Sequence, residues 1–483
     1  MIALGYIVTF VYMALVILVG EIIQKKFNTN KEMTRKCEHL ATSASWAIAY
    51  LFFGPTYHLI IVNFGAFVVL TLITFTGFMK SAEREDADKS YGLFYFGLST
   101  FLSITLAVLI DSSLVALTGI AYYCLALADG LAPITAKLFG KANFLLYEPK
   151  TFVGFATVFI VSSAACAVFN SIFDLNYSFL FIVSVGAVSA HAELYGKKGF
   201  DNVTVNFSVF LYLLLNHYGY ITEVVQVALL IAMLFTLISA KSKSLSYAGG
   251  VASFVYLFLT SMLGHVSLTS MIFILFFVEA IISKLTTKVF NKRYASEKKE
   301  KHSRGMFQIL ANSLAPLVCA GIYYFTKNEI FLLGAIAALA EEFSDSVASD
   351  VGRLSIKLPR DILRFKKLSP GVSGGVSLLG FGSSLVAAFV ASAIAWSFGV
   401  VDLKKYLVLS GIVFLGTVID SVLGSLIQVL YKCPSCDKLT ESTTHCETET
   451  VKVKGIKIIN NSTVNLLSGI ITAAIAIGIF YLM

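Results

Sequence analysis

The chain has 483 residues, 57% of them hydrophobic and only 14% charged, with a mean hydropathy of +0.80. Charge this far below the quarter usual in soluble domains, with apolar residues collected in long uncharged runs, excludes a soluble fold and predicts an integral membrane protein. The formal net charge of +8 does not indicate nucleic acid, because the basic residues flank the apolar runs, where retention of positive loops in the cytoplasm puts them.

About sixteen apolar runs read as membrane-spanning helices, giving an all-α architecture. Those of the first half are Ala3–Gly20, Leu40–Phe53, Leu59–Phe78, Tyr91–Ile110, Leu114–Ala128, Phe155–Ile172, Phe179–Ala190 and Phe207–His217. Those of the second half are Val224–Ala240, Ala248–Leu263, Met271–Leu285, Met306–Tyr324, Ile330–Ala340, Val376–Phe398, Tyr406–Val429 and Val464–Tyr481. The first run lacks a basic leader and a small-residue cleavage site, so it reads as a span rather than a signal peptide.

Alternate threading leaves only Lys327, Lys404 and Lys405, of 37 Lys and Arg, on one side. The crowded side is therefore cytoplasmic and both termini lie outside. The threading also predicts two parallel halves of about eight spans each, residues 1–220 and 221–483. Arg35-Lys36-x-x-His39 and Asp129-x-x-Ala132 in the first half have loose counterparts in Arg304…Gln308…Asn312 and Asp345-x-x-Ala348 in the second.

In the first half, Asp129 closes a span and is followed by Lys137 and Lys141; Lys150-Thr-Phe-Val-Gly154 then opens the next helix. Glu193 and Asp201-Asn202 follow on the same face. An acid able to hold Mg²⁺, several lysines and a helix N-terminus suit a polyphosphate, although interfacial acids paired with nearby lysines would give the same pattern. Arg35, Lys36 and His39 alone would be ordinary interfacial residues. With Tyr91-Gly-x-x-Tyr95, Phe139-Gly-Lys141 and Tyr147, these residues resemble the phytol kinase and dolichol kinase family over about residues 30–205. The resemblance implies CTP-dependent phosphorylation of a membrane prenyl alcohol. It implies that Asp129 with Mg²⁺, the three lysines and Gly154 hold the triphosphate, with Arg35, Lys36, His39 and Asn202 beside the nucleotide. Ala136 and Val153 stand where that family usually has Gly and Glu, which shifts weight to Glu193 and Asp201.

In the second half, Glu341-Glu342-Phe-Ser-Asp345-Ser-Val-Ala-Ser-Asp350 crowds four carboxylates at one helix end, a repulsion that a divalent cation relieves. A basic stretch leads to Ser369-Pro-Gly-Val-Ser373-Gly374-Gly375-Val-Ser377, readable as a phosphate cradle or as a flexible re-entry into the membrane. Asp420 lies inside an apolar run, where an acid is functional by default. Together with Arg304…Asn312, Cys433-Pro-x-Cys436, His445-Cys446 and Asn461-x-x-x-Asn465-Leu-Leu-Ser468, these residues resemble a second family over about residues 225–483. That family, long known only as a membrane domain of unknown function, includes the plant phytyl-phosphate kinase. The resemblance implies transfer of a second phosphate to a prenyl monophosphate, with Asp345, Asp350 and Asp420 catalytic. It sets Arg304, Asn312, Ser373, Gly374, Gly375, Asn461 and Asn465 at the nucleotide.

Seven cysteines are present, four scattered and three in the polar segment 430–463. There Cys433, Cys436, His445 and Cys446 offer four soft ligands, suiting a structural Zn²⁺ or free redox thiols. The chain thus reads as a bifunctional isoprenoid kinase. A CTP-dependent cytidylyltransferase of lipid phosphates and a secondary transporter are the alternatives, the transporter being disfavoured because the polar residues gather at one boundary.

Overall fold

A computed structural model describes residues 1–27, 31–76, 91–140, 145–147, 150–196, 199–293, 303–369 and 372–483. The chain divides into two compact units, Met1–Ser242 and Lys243–Met483.

The first unit begins with α1 (Ile2–Phe27), α2 (Lys31–Phe53), α3 (Tyr57–Thr76) and α4 (Gly92–Ile110). Asp111 then caps a 3-10 turn through the amide of Ser113, and a nearly continuous rod runs from Ser112 to Phe139. This rod consists of α5 (Val115–Tyr123), a π-helical turn over Cys124–Asp129, and α6 (Gly130–Phe139). It is followed by α7 (Phe152–Ile172), α8 (Phe179–Leu194), α9 (Asp201–His217) and α10 (Glu223–Ser242). Across the apolar window of the Ser112–Phe139 rod 83% of residues are buried, against 11% for α1, so the rod forms the centre and α1 the rim.

The second unit contains α11 (Tyr247–Leu263), α12 (Val266–Arg293), α13 (Met306–Thr326), α14 (Glu329–Gly352), α15 (Leu378–Ser397), α16 (Leu403–Leu426) and α17 (Asn461–Leu482). Its centre is α14, which packs on α12, α13, α15, α16 and α17 and buries every residue from Leu332 to Ala340. Helical bundles suit a bilayer because each backbone amide finds its partner within its own segment. Side-chain caps close several otherwise open N-termini, among them Thr151 on Gly154, Ser377 on Gly380 and Asn460 on Thr463.

Among the described residues each expected apolar run lies largely on helix, and eleven helices are long and apolar enough to cross a membrane. The other runs fall on helices that are short or carry polar motif residues, as α8, α11 and α14 do. Two features differ from the sequence reading. The boundary lies at Ser242 rather than near 220, because α10 packs against α8 and belongs to the first unit, so the units are unequal in helix number. The bundle is helical, but the polar connectors add short antiparallel strands. These are β1 (Leu145–Tyr147) with β2 (Lys150–Thr151), and β3 (Arg360–Asp361) with β4 (Gly375–Val376). Near the C-terminus, β5 (Leu430–Lys432) pairs with β6 (Leu439–Thr440) and β9 (Val451–Lys454), and β7 (Thr444–His445) pairs with β8 (Thr448–Glu449).

Helices α7 and α8 cross closely at Gly186, where an added Cβ would come within 2.5 Å of the Phe159 carbonyl oxygen. Gly411 on α16 has nothing within 4 Å of the same position. We expect Gly186→Val to cost about 2 kcal/mol or more of unfolding free energy in mixed micelles, as overpacking does, and Gly411→Val to cost little. Equal effects of the two substitutions would contradict this packing.

Candidate functional site

In the first unit the π-helical turn places Asp129 at the end of an extra-wide coil, a feature frequent at functional sites. The Asp129 carboxylate, almost wholly buried, accepts a hydrogen bond from Lys36 Nζ at 2.6 Å and lies 3.8 Å from His39 Nδ1. Lys36 also donates to the Asp129 carbonyl at 3.2 Å, so α2 is fastened to the central rod. A second cluster centres on Lys150, whose Nζ is 2.5 Å from Glu193 and 3.3 Å from Asp201. Burial works against the Lys150 charge, but Glu193, Asp201 and Asp129 outweigh it and hold the ammonium above its ordinary range. Asn202 donates to the Gly92 carbonyl at 2.7 Å. Lys36, His39, Asp129, Asp201 and Asn202 line one water-sized cavity.

Other residues expected here are placed differently. The Gly154 amide donates to Thr151 Oγ1 at 3.2 Å and so serves the helix cap. Lys137 is exposed in the last turn of α6. The Arg35 side chain and all of Lys141 lie outside the described residues.

The second unit holds a much larger polar cleft of about 330 Å³. Asp345 and Asp420 enter it from α14 and α16, Arg353 and Lys357 from the connector after α14, and Ser373-Gly374-Gly375 and Asn461 complete its walls. The glycine loop is pinned to the end of α16. Gly374 adopts φ +78°, and a side chain there would come within 2.6 Å of the Ser425 backbone. Ser373 donates to Gln428 at 2.6 Å, and Ser425 donates to both oxygens of Asp361 at 2.9 Å. Burial acts against the Asp361 charge, but hydrogen bonds from the Arg364 and Leu363 amides and Ser425 hold its pKa below the usual carboxylate range.

Beside the cleft, Glu341, Glu342, Asp345 and Asp420 line a water-sized cavity with Asn312, Asn465 and Ser468. Asn312 donates to Glu342 at 2.6 Å, Ser468 donates to Asp420 at 3.1 Å, and Asn465 donates to Asn312 at 3.3 Å. Asp345 and Asp420 belong to both spaces and form the wall between them. Arg304 and Asp350 line neither. Arg304 pairs with Glu279 and bridges its backbone to Ser244 and Ser246, while Asp350 sits 3.7 Å from Arg353.

In the polar segment, one ligand atom from each of Cys433, Cys436, His445 and Cys446 lies within 4.8 Å of the others. Burial pushes the Cys433 thiol up, yet hydrogen bonds from His445 and the Cys436 and Ser435 amides outweigh it and hold it at about 6.

Sequence reasoning missed Glu279, Gln428 and Glu441 as parts of these networks, and read Arg353 and Lys357 only as members of the basic stretch before the glycine loop. Glu279 carried a signal, being an acid within an apolar run. Gln428 and Glu441 carried none, since their pairing at 2.8 Å joins a helix end to a hairpin.

We expect Lys36→Met to cost about 3 kcal/mol of stability by stranding the buried Asp129 carboxylate. Adding Asp129→Leu should recover at least about 1 kcal/mol relative to the sum of the single effects, measured by unfolding in mixed micelles. Strict additivity would mean the pair is not coupled.

The family model described as integral membrane protein DUF92 matches residues 230–473. Protein PGR of Arabidopsis thaliana is 30% identical over 272 residues, covering 51% of this chain and 92% of its own. An uncharacterized membrane protein of Methanocaldococcus jannaschii is 28% identical over 203 residues, 42% of this chain and 82% of its own. A phytol kinase of Synechocystis sp. is 25% identical over 208 residues, 42% of this chain and 87% of its own. No solved structure matches the chain. With half of its length under the family model and nearly all of Protein PGR aligned to it, this chain belongs to the DUF92 family of integral membrane proteins.

Proposed function

We propose that this protein is a membrane kinase with two sites, using CTP to phosphorylate a prenyl alcohol in the first unit and the resulting prenyl phosphate in the second. The observation that carries the reading is the second-unit cleft, which joins the carboxylates of Asp345, Asp420 and Glu441, two cationic side chains and a serine-glycine loop in one polar space. Distant similarity to a phytol kinase supports phosphoryl transfer to a prenyl alcohol. The choice of CTP rests on the resemblance of the first-half motifs to phytol and dolichol kinases.

Each set of residues has a physical role in this reading. Asp345 and Asp420, drawn from different helices, suit Mg²⁺, which takes oxygen ligands and neutralises charge developing on phosphate oxygens. Arg353 and Lys357 attract the polyphosphate, and Asp350 holds Arg353 in place at 3.7 Å. Ser373, Gly374 and Gly375 let backbone approach the phosphates closely, and Asn461 orients the nucleotide. In the first unit, Asp129 is the metal acid, with Lys36 and His39 beside it. Glu193 and Asp201 position Lys150 for an incoming phosphate. Both substrates are anchored by their tails, so the monophosphate passes between sites by lateral movement in the membrane.

The test is conversion of a panel of prenols by purified protein with labelled CTP and Mg²⁺, read by thin-layer chromatography. Asp129→Asn is expected to abolish monophosphate formation while leaving conversion of supplied monophosphate intact. Asp345→Asn and Asp420→Asn should each accumulate monophosphate, with diphosphate formation reduced roughly a thousandfold or more. Asp350→Asn should be milder, since it acts through Arg353. Near wild-type diphosphate formation in the first two second-unit variants would sink the assignment, and release of pyrophosphate with a CDP-lipid would replace it with cytidylyl transfer.

The reading also requires both sites to face one compartment. Cysteine probes at Gly140, Glu300 and Arg360 should label from the cytoplasm, and probes at Asp174 or Lys327 from outside. Labelling of the three motif-side probes from opposite faces would break the model of one shared catalytic face.

A further inference from the structure

We propose that Cys433, Cys436, His445 and Cys446 bind one Zn²⁺ ion, and that this ion braces the Glu441 wall of the second-unit cleft. The cluster lies in the connector between α16 and α17. His445 Nδ1 is 3.5 Å from the Cys436 sulfur and 3.2 Å from the Cys446 sulfur, and all four ligand atoms fall within 4.8 Å. Tetrahedral zinc, with bonds of about 2.3 Å to sulfur and about 2.0 Å to nitrogen, needs ligand atoms roughly 3.5–4 Å apart. Three thiolates and an imidazole select zinc over the hard cations that the carboxylates of this unit suit. Four protein ligands close the coordination sphere, so the role is structural.

Two further observations show why the connector needs such a centre. No residue from Pro434 to Glu447 is buried, so this stretch has no apolar core of its own. Asp437, Cys446 and Glu447 nevertheless hold left-handed backbone at φ 60°, 52° and 59°. Non-glycine residues adopt that conformation at a steric cost, and it persists where the surroundings dictate it. Bonds from both knuckles to one ion supply that constraint, as metal sites do in segments too small to fold on a hydrophobic core.

The brace reaches the cleft through a short path. The first knuckle closes with the Asp437 amide donating to the Cys433 carbonyl at 2.9 Å and the Cys433 amide donating to Lys438 at 3.0 Å. This sets β6 against β5, and Glu441 follows directly after β6. Glu441 accepts from Gln428 Nε2 at 2.8 Å, and Gln428 accepts from Ser373 Oγ at 2.6 Å, so the hairpin is latched to the glycine loop. None of this depends on what the cleft binds, so the proposal stands or falls separately from the kinase reading.

The test uses the full-length protein purified without chelator. Elemental analysis should find about one zinc per chain, and Cys436→Ser should lower it at least fivefold. Less than about half a zinc in the wild type, another metal in its place, or full zinc in the variant overturns the site. To separate loss of metal from misfolding of the variant, wild-type protein is also stripped of metal with a chelator and followed by amide hydrogen exchange. Exchange in residues 430–454 and in Ser373–Val376 should accelerate at least tenfold while α14 is unchanged. Unchanged exchange at Ser373–Val376 in zinc-stripped protein overturns the bracing role.

Discussion

The structure depends on how each unit manages carboxylates placed at the heart of an apolar bundle. An ionised carboxylate moved out of water costs several kcal/mol unless a partner compensates it. The two units solve this differently. In the first, Lys36 meets Asp129, and Lys150 meets Glu193 and Asp201, so every acid of the site has an ammonium beside it. In the second, among the described residues, Glu342 and Asp420 accept hydrogen bonds from the neutral side chains of Asn312 and Ser468. Acids without a matching ammonium, opening on a polar cleft, leave room for cationic partners to arrive with a ligand. The first unit holds its charges in reserve; the second presents them.

Both arrangements follow from burying one helix at the centre of each unit. The Ser112–Phe139 rod and α14 are surrounded by their neighbours, and each carries its motif acids in its C-terminal half. Close approach is set by small residues. Gly416 faces Thr472 and the Glu341 side chain, which brings α14, α16 and α17 together around the acids. At the cleft, Gly424 accommodates Ser373, and Gly455, at φ +81°, lies against the Gln428 backbone, which fixes the loop on the helix end.

Hydropathy made the bundle legible, because a run of apolar residues has few ways to bury itself except as a helix in or against a membrane. Asp345, Asp420, Ser373, Gly374, Gly375 and Asn461 stood out in the sequence as acids, hydroxyls and glycines in unusual settings, and they line one cleft. What stayed hidden was tertiary. The π-helical turn before Asp129 has no residue signature. The pairing of Arg304 with Glu279 closes across two helices, and the place of α10 depends on its packing on α8 rather than on its own composition. The glycine of Lys150-Thr-x-x-Gly154 read as a phosphate contact, while Thr151 already uses its amide as a cap. Local capping outranks ligand binding there because the cap forms from adjacent residues at little entropic cost.

In the proposed function the second-unit cleft receives the polyphosphate of a nucleotide. Photo-crosslinking of the full-length protein with an azido analogue of CTP and Mg²⁺, followed by peptide mapping, tests it most directly. Modification is expected within residues 345–377 and around Asn461, suppressed by unlabelled CTP and greatly reduced in Asp345→Asn. Competable crosslinks confined to other segments, or equal labelling in Asp345→Asn, would contradict it.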